Sequence, residues 1–201
     1  MENLIWDDTW EEDGILPDPA FVRRDRLRKA GKPVEIARTE RLLIRETVLS
    51  DVPRLYEIFH EAGAGDWMEP LQPALQEEME FMEAYIRYAY AFYDFGLWTV
   101  LESGSGEIVG RAGLFPSKVL DEAVELGYLI APGRQRRGYA AECGRAILSY
   151  AFEVLDLKEI HIRTDCRNLA SVRTAERLGF TEQGRFPDGP REWIHFKYEI
   201  S

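Results

Sequence analysis

Glu125-Leu126-Gly127-Tyr128-Leu129-Ile130-Ala131-Pro132-Gly133-Arg134-Gln135-Arg136-Arg137-Gly138-Tyr139-Ala140-Ala141 decides the fold. It opens as an apolar run suited to a buried strand and passes into a glycine-containing turn that carries Arg134, Arg136 and Arg137. Behind the turn, Ala140, Gly144, Ile147, Leu148, Ala151 and Leu155 recur at three- and four-residue spacing, which predicts a helix. A helix start presents free backbone N–H groups and the positive end of the dipole, so the turn suits an anion such as phosphate. Gly138 lets that backbone approach closely, and the arginines add charge where anions are already favoured. A plain connector has no need of clustered like charge.

Working outward, Val34 to Glu46 alternates as a strand centred on Arg41-Leu42-Leu43-Ile44-Arg45. Ser50 caps a helix on which Val52, Leu55, Phe59 and Ala62 share a face, and a second helix runs from about Pro73 to Tyr93. Leu97 to Leu101 and Ile108 to Leu114 form a hairpin about Ser103-Gly104-Ser105-Gly106. After the central helix, Glu159 to Thr164 is a strand. Asn168 caps a helix closed by Gly179, and a last hairpin turns at Asp188-Gly189. At the other end, Asp18-Pro19 starts a basic helix that ends before Gly31. Trp6 and Trp10 load residues 1–17 with enough apolar surface to favour docking. The expected organisation is an extension over 1–33 and one domain over 34–201.

The chain has 201 residues, 45% of them apolar, enough for one domain with a sizeable core. There is no run of eighteen apolar residues to span a membrane, and the acidic N-terminus lacks a secretory pattern. Cys143 and Cys166 make no disulfide framework, and no histidine spacing suggests a metal. A cytoplasmic protein without a metal is expected. A net charge of −11 argues against nucleic acid as a partner and is compatible with a cationic amine. A homodimer stays open.

The spacing Gln135-x-x-Gly138-x-Ala140 resembles the pyrophosphate loop of the Gcn5-related N-acetyltransferases (GNAT). Asn168-Leu169-Ala170-Ser171 with Glu176-Arg177-Leu178-Gly179-Phe180 resembles that superfamily's next motif. Thr39-Glu40-Arg41-Leu42-Leu43-Ile44-Arg45 resembles the first strand of the Rim-type branch, which acetylates N-terminal amines of ribosomal proteins. The resemblance implies an α/β fold: a mixed, mostly antiparallel central sheet with a splayed pair of parallel strands, and helices on both faces. It also implies acetyl-CoA as cosubstrate and direct transfer to a primary amine, with a protein N-terminus favoured. The alternatives are a small-molecule acceptor (a polyamine, amino acid or aminoglycoside) and a non-catalytic acyl-CoA sensor.

By the same resemblance, Gln135, Arg136, Arg137, Gly138, Tyr139 and Ala140 hold the pyrophosphate. Asn168 bonds the pantetheine arm, and the peptide groups of Leu129 and Ile130 pair with it. The two helices before the first hairpin line the acceptor side, which makes Trp67, Glu69, Tyr85 and Tyr88 candidate contacts.

Acetyl transfer needs a neutral amine and a proton for the departing thiolate. An α-amine near pKa 8 costs only about 1.4 kcal/mol to deprotonate at pH 7, a lysine near 10.4 about 4.6 kcal/mol. Glu125 is the candidate base, beside the expected thioester. Many family members carry a tyrosine as the thiolate's acid where this chain has Ala175, and Ser171 lies one turn earlier on the same helical face. Ser171 is therefore the candidate donor, with Tyr128 and Tyr139 as alternative hydroxyls.

Overall fold

The computed structural model describes residues 18–61 and 63–200. The expected docking of Trp6 and Trp10 and the place of Ala62 lie outside those residues. The chain divides into two compact units, residues 1–34 and 35–201. In the first, α1 (Pro19–Lys29) begins where the Ala20 N–H donates to the Asp18 carboxylate at 3.0 Å. Arg26, Arg28 and Lys29 occupy its last turn, where cations suit the dipole, and Gly31 follows at φ 67°.

The second unit runs β1 (Glu35–Arg38), β2 (Leu42–Glu46), α2 (Val52–His60), α3 (Leu75–Tyr93), β3 (Leu97–Glu102), β4 (Ile108–Pro116), β5 (Val124–Ile130), α4 (Tyr139–Glu153), β6 (Glu159–Asp165), α5 (Leu169–Leu178), β7 (Thr181–Asp188) and β8 (Arg191–Glu199). One eight-stranded sheet takes the order β1-β2-β3-β4-β5-β6-β8-β7. Every pair is antiparallel except β5 with β6. The strand expected over Val34 to Glu46 is in fact a hairpin, because Thr39-Glu40-Arg41 turns the chain between β1 and β2. Ser50 is not the cap of α2. Asp51 organises that corner instead, its carboxylate accepting from the Val48 N–H at 3.0 Å, from Arg45 at 2.6 Å and from Thr99 at 2.8 Å.

Period-two alternation sorts the strands onto two faces. Trp98, Ala112 and Tyr128 lie side by side in register, and Trp98 meets Tyr150 of α4 edge-on at 5.5 Å, so this face lies under α4 and α5. Leu129 points the other way, into a cluster with Ile58 of α2, Ala64 and Ala131. Helices cover both faces because both sides of the central strands are apolar. Leu42, Ile44, Trp98, Val100, Leu114, Ile147 and Ile160 are wholly buried between these layers.

The parallel pair positions the site. β5 and β6 meet at a single register pair, Glu125 with His161. Beyond it β5 continues to Ile130 and β6 to Asp165 unpaired with each other, so the sheet opens into a wedge beneath the start of α4.

Candidate active site

The stretch that decides the fold also builds one end of the wedge. After β5, Pro132–Arg134 forms one 3₁₀ turn, Gln135 is extended, Arg136 sits at φ 60° and Gly138 at φ 80° as N-cap of α4. A Cβ at Gly138 would meet nothing nearer than Arg41 Nη2 at 3.7 Å. The protein therefore demands glycine there for its left-handed backbone, and the space beside it stays open. Arg136 and Arg137 are exposed at the helix start. Tyr139 and Ala140 are its first residues, their N–H groups without a partner one turn back.

Arg134 does not join the anion site. It forms ion pairs with Glu102, at 3.3 Å, and with Glu107. Tyr139 also drops out as a proton donor to the thiolate, because its hydroxyl donates to Glu102 at 2.6 Å. That bond, with a second from Ser105, holds the Glu102 carboxyl below its ordinary value.

A residue that was not singled out for the site, Arg41, straps the loop from the β1–β2 turn. Its Nε donates to Glu142 of α4 at 2.8 Å, its Nη1 donates to the Arg137 carbonyl at 3.0 Å, and its guanidinium lies 4.8 Å over the Tyr139 ring. Burial acts to raise the Glu142 carboxyl, but hydrogen bonds from Thr39 and Arg41 outweigh it and hold the group below its ordinary value. The signal was present in Arg41 and Glu142, but only folding brings positions 101 apart together.

Along the wedge, Ala131 donates its N–H to the Val109 carbonyl at 2.9 Å. Peptide groups alternate in an antiparallel ladder, so the Ile130 N–H faces away from β4, into the opening. Its carbonyl accepts from Gln135 Nε2 at 3.0 Å, which ties the loop to the strand end. Leu129 is aligned with Arg111 and turns its peptide to β4. Of the two peptides expected to meet a pantetheine arm, the ladder thus leaves Ile130 exposed to the wedge.

The two catalytic candidates lie on opposite faces of the sheet. Glu125 is buried on the α2 side, where Arg163 Nε donates to it at 2.7 Å and Arg163 in turn lies 5.8 Å over Trp193. His161 and His195 flank it, ring nitrogens 2.9 Å apart, and burial followed by the neighbouring His161 depresses the His195 pKa. Ser171 stands in the first turn of α5 on the other face. Asn168 Oδ1 accepts from the Ser171 N–H at 3.2 Å, leaving the Asn168 Nδ2 donors for a ligand. The Ser171 hydroxyl lies 3.1 Å from that of Tyr128. Ala175 is wholly buried, so a tyrosine there would overpack this helix.

Of the acceptor-side candidates, the Tyr85 hydroxyl accepts from the Leu97 N–H at 2.8 Å and Glu69 pairs with Lys118 at 2.5 Å. Tyr88 is exposed, and Trp67 lies 5.9 Å beneath Arg167. Cys143 is inert, its thiol pushed up to about 12 by burial. Among the described residues, no helix is long and apolar enough to cross a membrane, and no cluster of histidine, cysteine and carboxylate side chains could hold a metal.

A strand that splays from its parallel neighbour beside an arginine-bearing turn at a helix start fits the mixed α/β fold that the sequence resemblance implies. The family model of the acetyltransferase (GNAT) domain matches residues 41–181, and the chain belongs to that family. It is similar to a putative ribosomal N-acetyltransferase, YdaF, of Bacillus subtilis, 32% identical over 84 residues, 42% of this chain and 46% of that one. It is similar as well to the spermidine N(1)-acetyltransferase of Vibrio cholerae, 28% identical over 85 residues, 42% of this chain and 49% of that one. These matches span about half the length of the curated relatives. Among solved structures, RimL, a ribosomal L7/L12 alpha-N-protein acetyltransferase in complex with coenzyme A, superposes with a TM-score of 0.72 at 17% identity. That superposition covers 83% of this chain and 98% of RimL. A putative ribosomal N-acetyltransferase is thus among its sequence relatives, and RimL shares its fold.

Proposed function

We propose that the chain transfers acetyl from acetyl-CoA directly to a primary amine, with a protein N-terminal amine as the favoured acceptor. The observation that carries this reading is the wedge itself: an opening between β5 and β6 that runs from the anion loop to a carboxylate on one face and a hydroxyl on the other. In this reading, Arg136, Arg137, Gly138, Tyr139 and Ala140 hold the pyrophosphate by charge and backbone N–H. Gln135 braces the strand end, Asn168 Nδ2 meets the pantetheine arm, and Leu129 backs the wall that carries Ile130. The Ile130 N–H polarises the acetyl carbonyl as charge develops on its oxygen.

The amine then approaches from the face of Glu125. The carboxylate takes the amine's proton through water, since Arg163 already occupies one of its oxygens. The thiolate leaves toward the face of Ser171. The proton gained on the Glu125 face offsets the one given up on the Ser171 face, so the enzyme's proton count is unchanged and no covalent intermediate is needed.

The Rim-type likeness favours a protein α-amine, and the low cost of deprotonating an α-amine suits a base already engaged by an arginine. The likeness to a spermidine acetyltransferase supports the second reading, a polyamine drawn by the acidic surface. Release of free CoA decides the matter. Short peptides with free N-termini should be acetylated with a higher kcat/KM than spermidine, amino acids or aminoglycosides. The reverse order would assign a small-molecule acceptor, and no release with any amine would leave a sensor.

A further inference from the structure

Ser171 has a difficulty as the sole source of a proton. An alkanol is about as weak an acid as water, far weaker than a thiol, which titrates near 8.5. A serine that gave its proton to a thiolate unaided would work against a gap of about seven orders of magnitude in acidity. A phenol, near 10, closes most of that gap.

The structure supplies such a phenol. Tyr128 rises from β5 on the α5 face, and its hydroxyl lies 3.1 Å from Ser171 Oγ and 3.3 Å from the Ser171 carbonyl oxygen. It is half-buried, and burial outweighs the bonds to Ser171 and Thr174, so its pKa stands above the ordinary phenol value while remaining that of a phenol rather than an alkanol. Ser171 is thus held from two sides, its N–H by Asn168 Oδ1 at 3.2 Å and its hydroxyl by Tyr128. The pair spans the wedge, since Tyr128 belongs to the strand on one side and Ser171 to the helix that follows the strand on the other.

We propose that Tyr128 and Ser171 form one proton relay, Ser171 facing the departing sulfur and Tyr128 standing behind it as the positioning and resupplying residue. The inference rests on the reading of Ser171 as the thiolate's donor and adds where the proton comes from. In the relay the Tyr128 proton, which the Ser171 carbonyl also accepts, turns to Ser171 Oγ, which frees the Ser171 O–H for the sulfur. As the carbon–sulfur bond breaks, its electron pair stays on sulfur. The Ser171 proton moves to sulfur and the Tyr128 proton moves to Ser171 Oγ. Glu125 passes the amine's proton to solvent and the phenolate takes one back from solvent, so protons balance over the cycle. No oxidant, reductant or further reactant is needed.

The test uses the full chain, acetyl-CoA and whichever amine of the panel releases most CoA, under single-turnover conditions. Tyr128→Phe removes one oxygen from a half-buried ring and should lower the rate about ten- to a hundredfold, within the range for a lost proton donor. Acetyl-CoA affinity should stay within about threefold, since the anion loop is untouched. The Tyr128→Phe/Ser171→Ala double variant should be no slower than Ser171→Ala, because the two act as a unit. In mixtures of light and heavy water, the rate of the unaltered protein should curve with deuterium content, as two moving protons require, and that of Tyr128→Phe should be linear.

A normal rate with early melting in Tyr128→Phe overturns the relay and leaves a packing residue. Additive losses in the double variant overturn it too. A normal rate in Ser171→Ala with a slow Tyr128→Phe overturns the serine reading and makes the tyrosine a direct donor. If Tyr128→Phe does not fold, difluorotyrosine at 128 keeps the shape and lowers the phenol's pKa. The alkaline limb of the rate profile should then move to lower pH, and an unmoved limb overturns the proposal. Absence of CoA release with every amine overturns both the transfer reading and the relay.

Discussion

The anion loop and the wedge beside it are held in different ways. The loop is braced from outside by several charged groups: Arg41 reaches Glu142 and the Arg137 carbonyl, while Tyr139 and Arg134 converge on Glu102. The wedge is held by fewer charged groups, with Glu125 bound to Arg163 on one face and Tyr128 to the hydroxyl and carbonyl of Ser171 on the other. Under the proposed function, redundant bracing suits a loop that would present fixed N–H groups, because preorganised donors lose little freedom when an anion arrives. The sparser arrangement would suit the proposed proton exchange, since every further bond to the reacting groups would have to break. The difference predicts that damage to the loop's backbone or to the wedge is severe, and that damage to the loop's braces is mild.

The largest effect should come from Gly138→Val. A β-branched residue at φ 80° is strained whatever space surrounds it, so the loop must rearrange. Acetyl-CoA affinity measured by calorimetry should fall at least about a hundredfold, roughly 2.7 kcal/mol, with the fold intact by circular dichroism. Unchanged affinity in a folded variant would mean that the anion site lies elsewhere.

Ser171→Ala comes next. Turnover should fall by about ten- to a thousandfold, roughly 1.4 to 4 kcal/mol, with acetyl-CoA affinity little changed. The helix cap is made by the Asn168 side chain to the Ser171 N–H, which alanine retains. Melting should therefore hardly move, and a variant that melts early but turns over normally would remove Ser171 from the chemistry.

Glu125→Gln tests the opposite face. Turnover should drop about ten- to a hundredfold at pH 7 and by less at pH 9, where free amine is more plentiful. An equal loss at both values would assign Glu125 to holding Arg163, with which it shares a 2.7 Å bond.

Arg41→Ala probes the braces. Because Arg41 is well exposed and other groups also hold the loop, acetyl-CoA should bind only about three- to tenfold more weakly, roughly 0.7 to 1.4 kcal/mol. A loss as large as that of Gly138→Val would show that the loop is not redundantly held.

The smallest effect concerns His195. Its folded pKa lies below the ordinary value, through burial and then His161, with Arg163 and Lys197 acting the same way and Glu125 opposing. The unfolded chain therefore binds the proton more readily, and His195 weakens stability as pH falls through its unfolded pKa of about 6.5. His195→Gln should flatten the decline of the melting temperature between pH 7 and pH 5 by a few degrees at most. An identical decline would place the titration in another group.

Much of this fold is legible locally. Gly138 before a helical repeat, Asn168 as a cap and Gly179 as a stop are decided by backbone conformations that few residues accept, and all three stand where the spacing places them. The sequence hides the hairpin at Thr39 to Arg41 inside one apparent strand, since its turn lacks glycine and proline and the alternation runs on through it. Arg134 was counted with the other arginines of the loop because charge can be read from a sequence but its partner cannot. Glu102 and Glu107 lie about thirty residues away. Ser171 was found through its place in a motif, while its bond to Tyr128 joins residues 43 apart.

By itself, then, the sequence determined most of the periods, caps and turns, and with them a strand, a glycine-containing turn and a helix in the order of an acetyltransferase. These depend on a residue and its neighbours within about one turn, where sterics and local hydrogen bonds dominate. Only the tertiary structure decided which charges cancel, which peptide of β5 faces the opening, and that Glu125 and Ser171 approach it from opposite faces. Those outcomes follow from strand register and helix packing, and a shift of one residue in β5 would exchange the two faces.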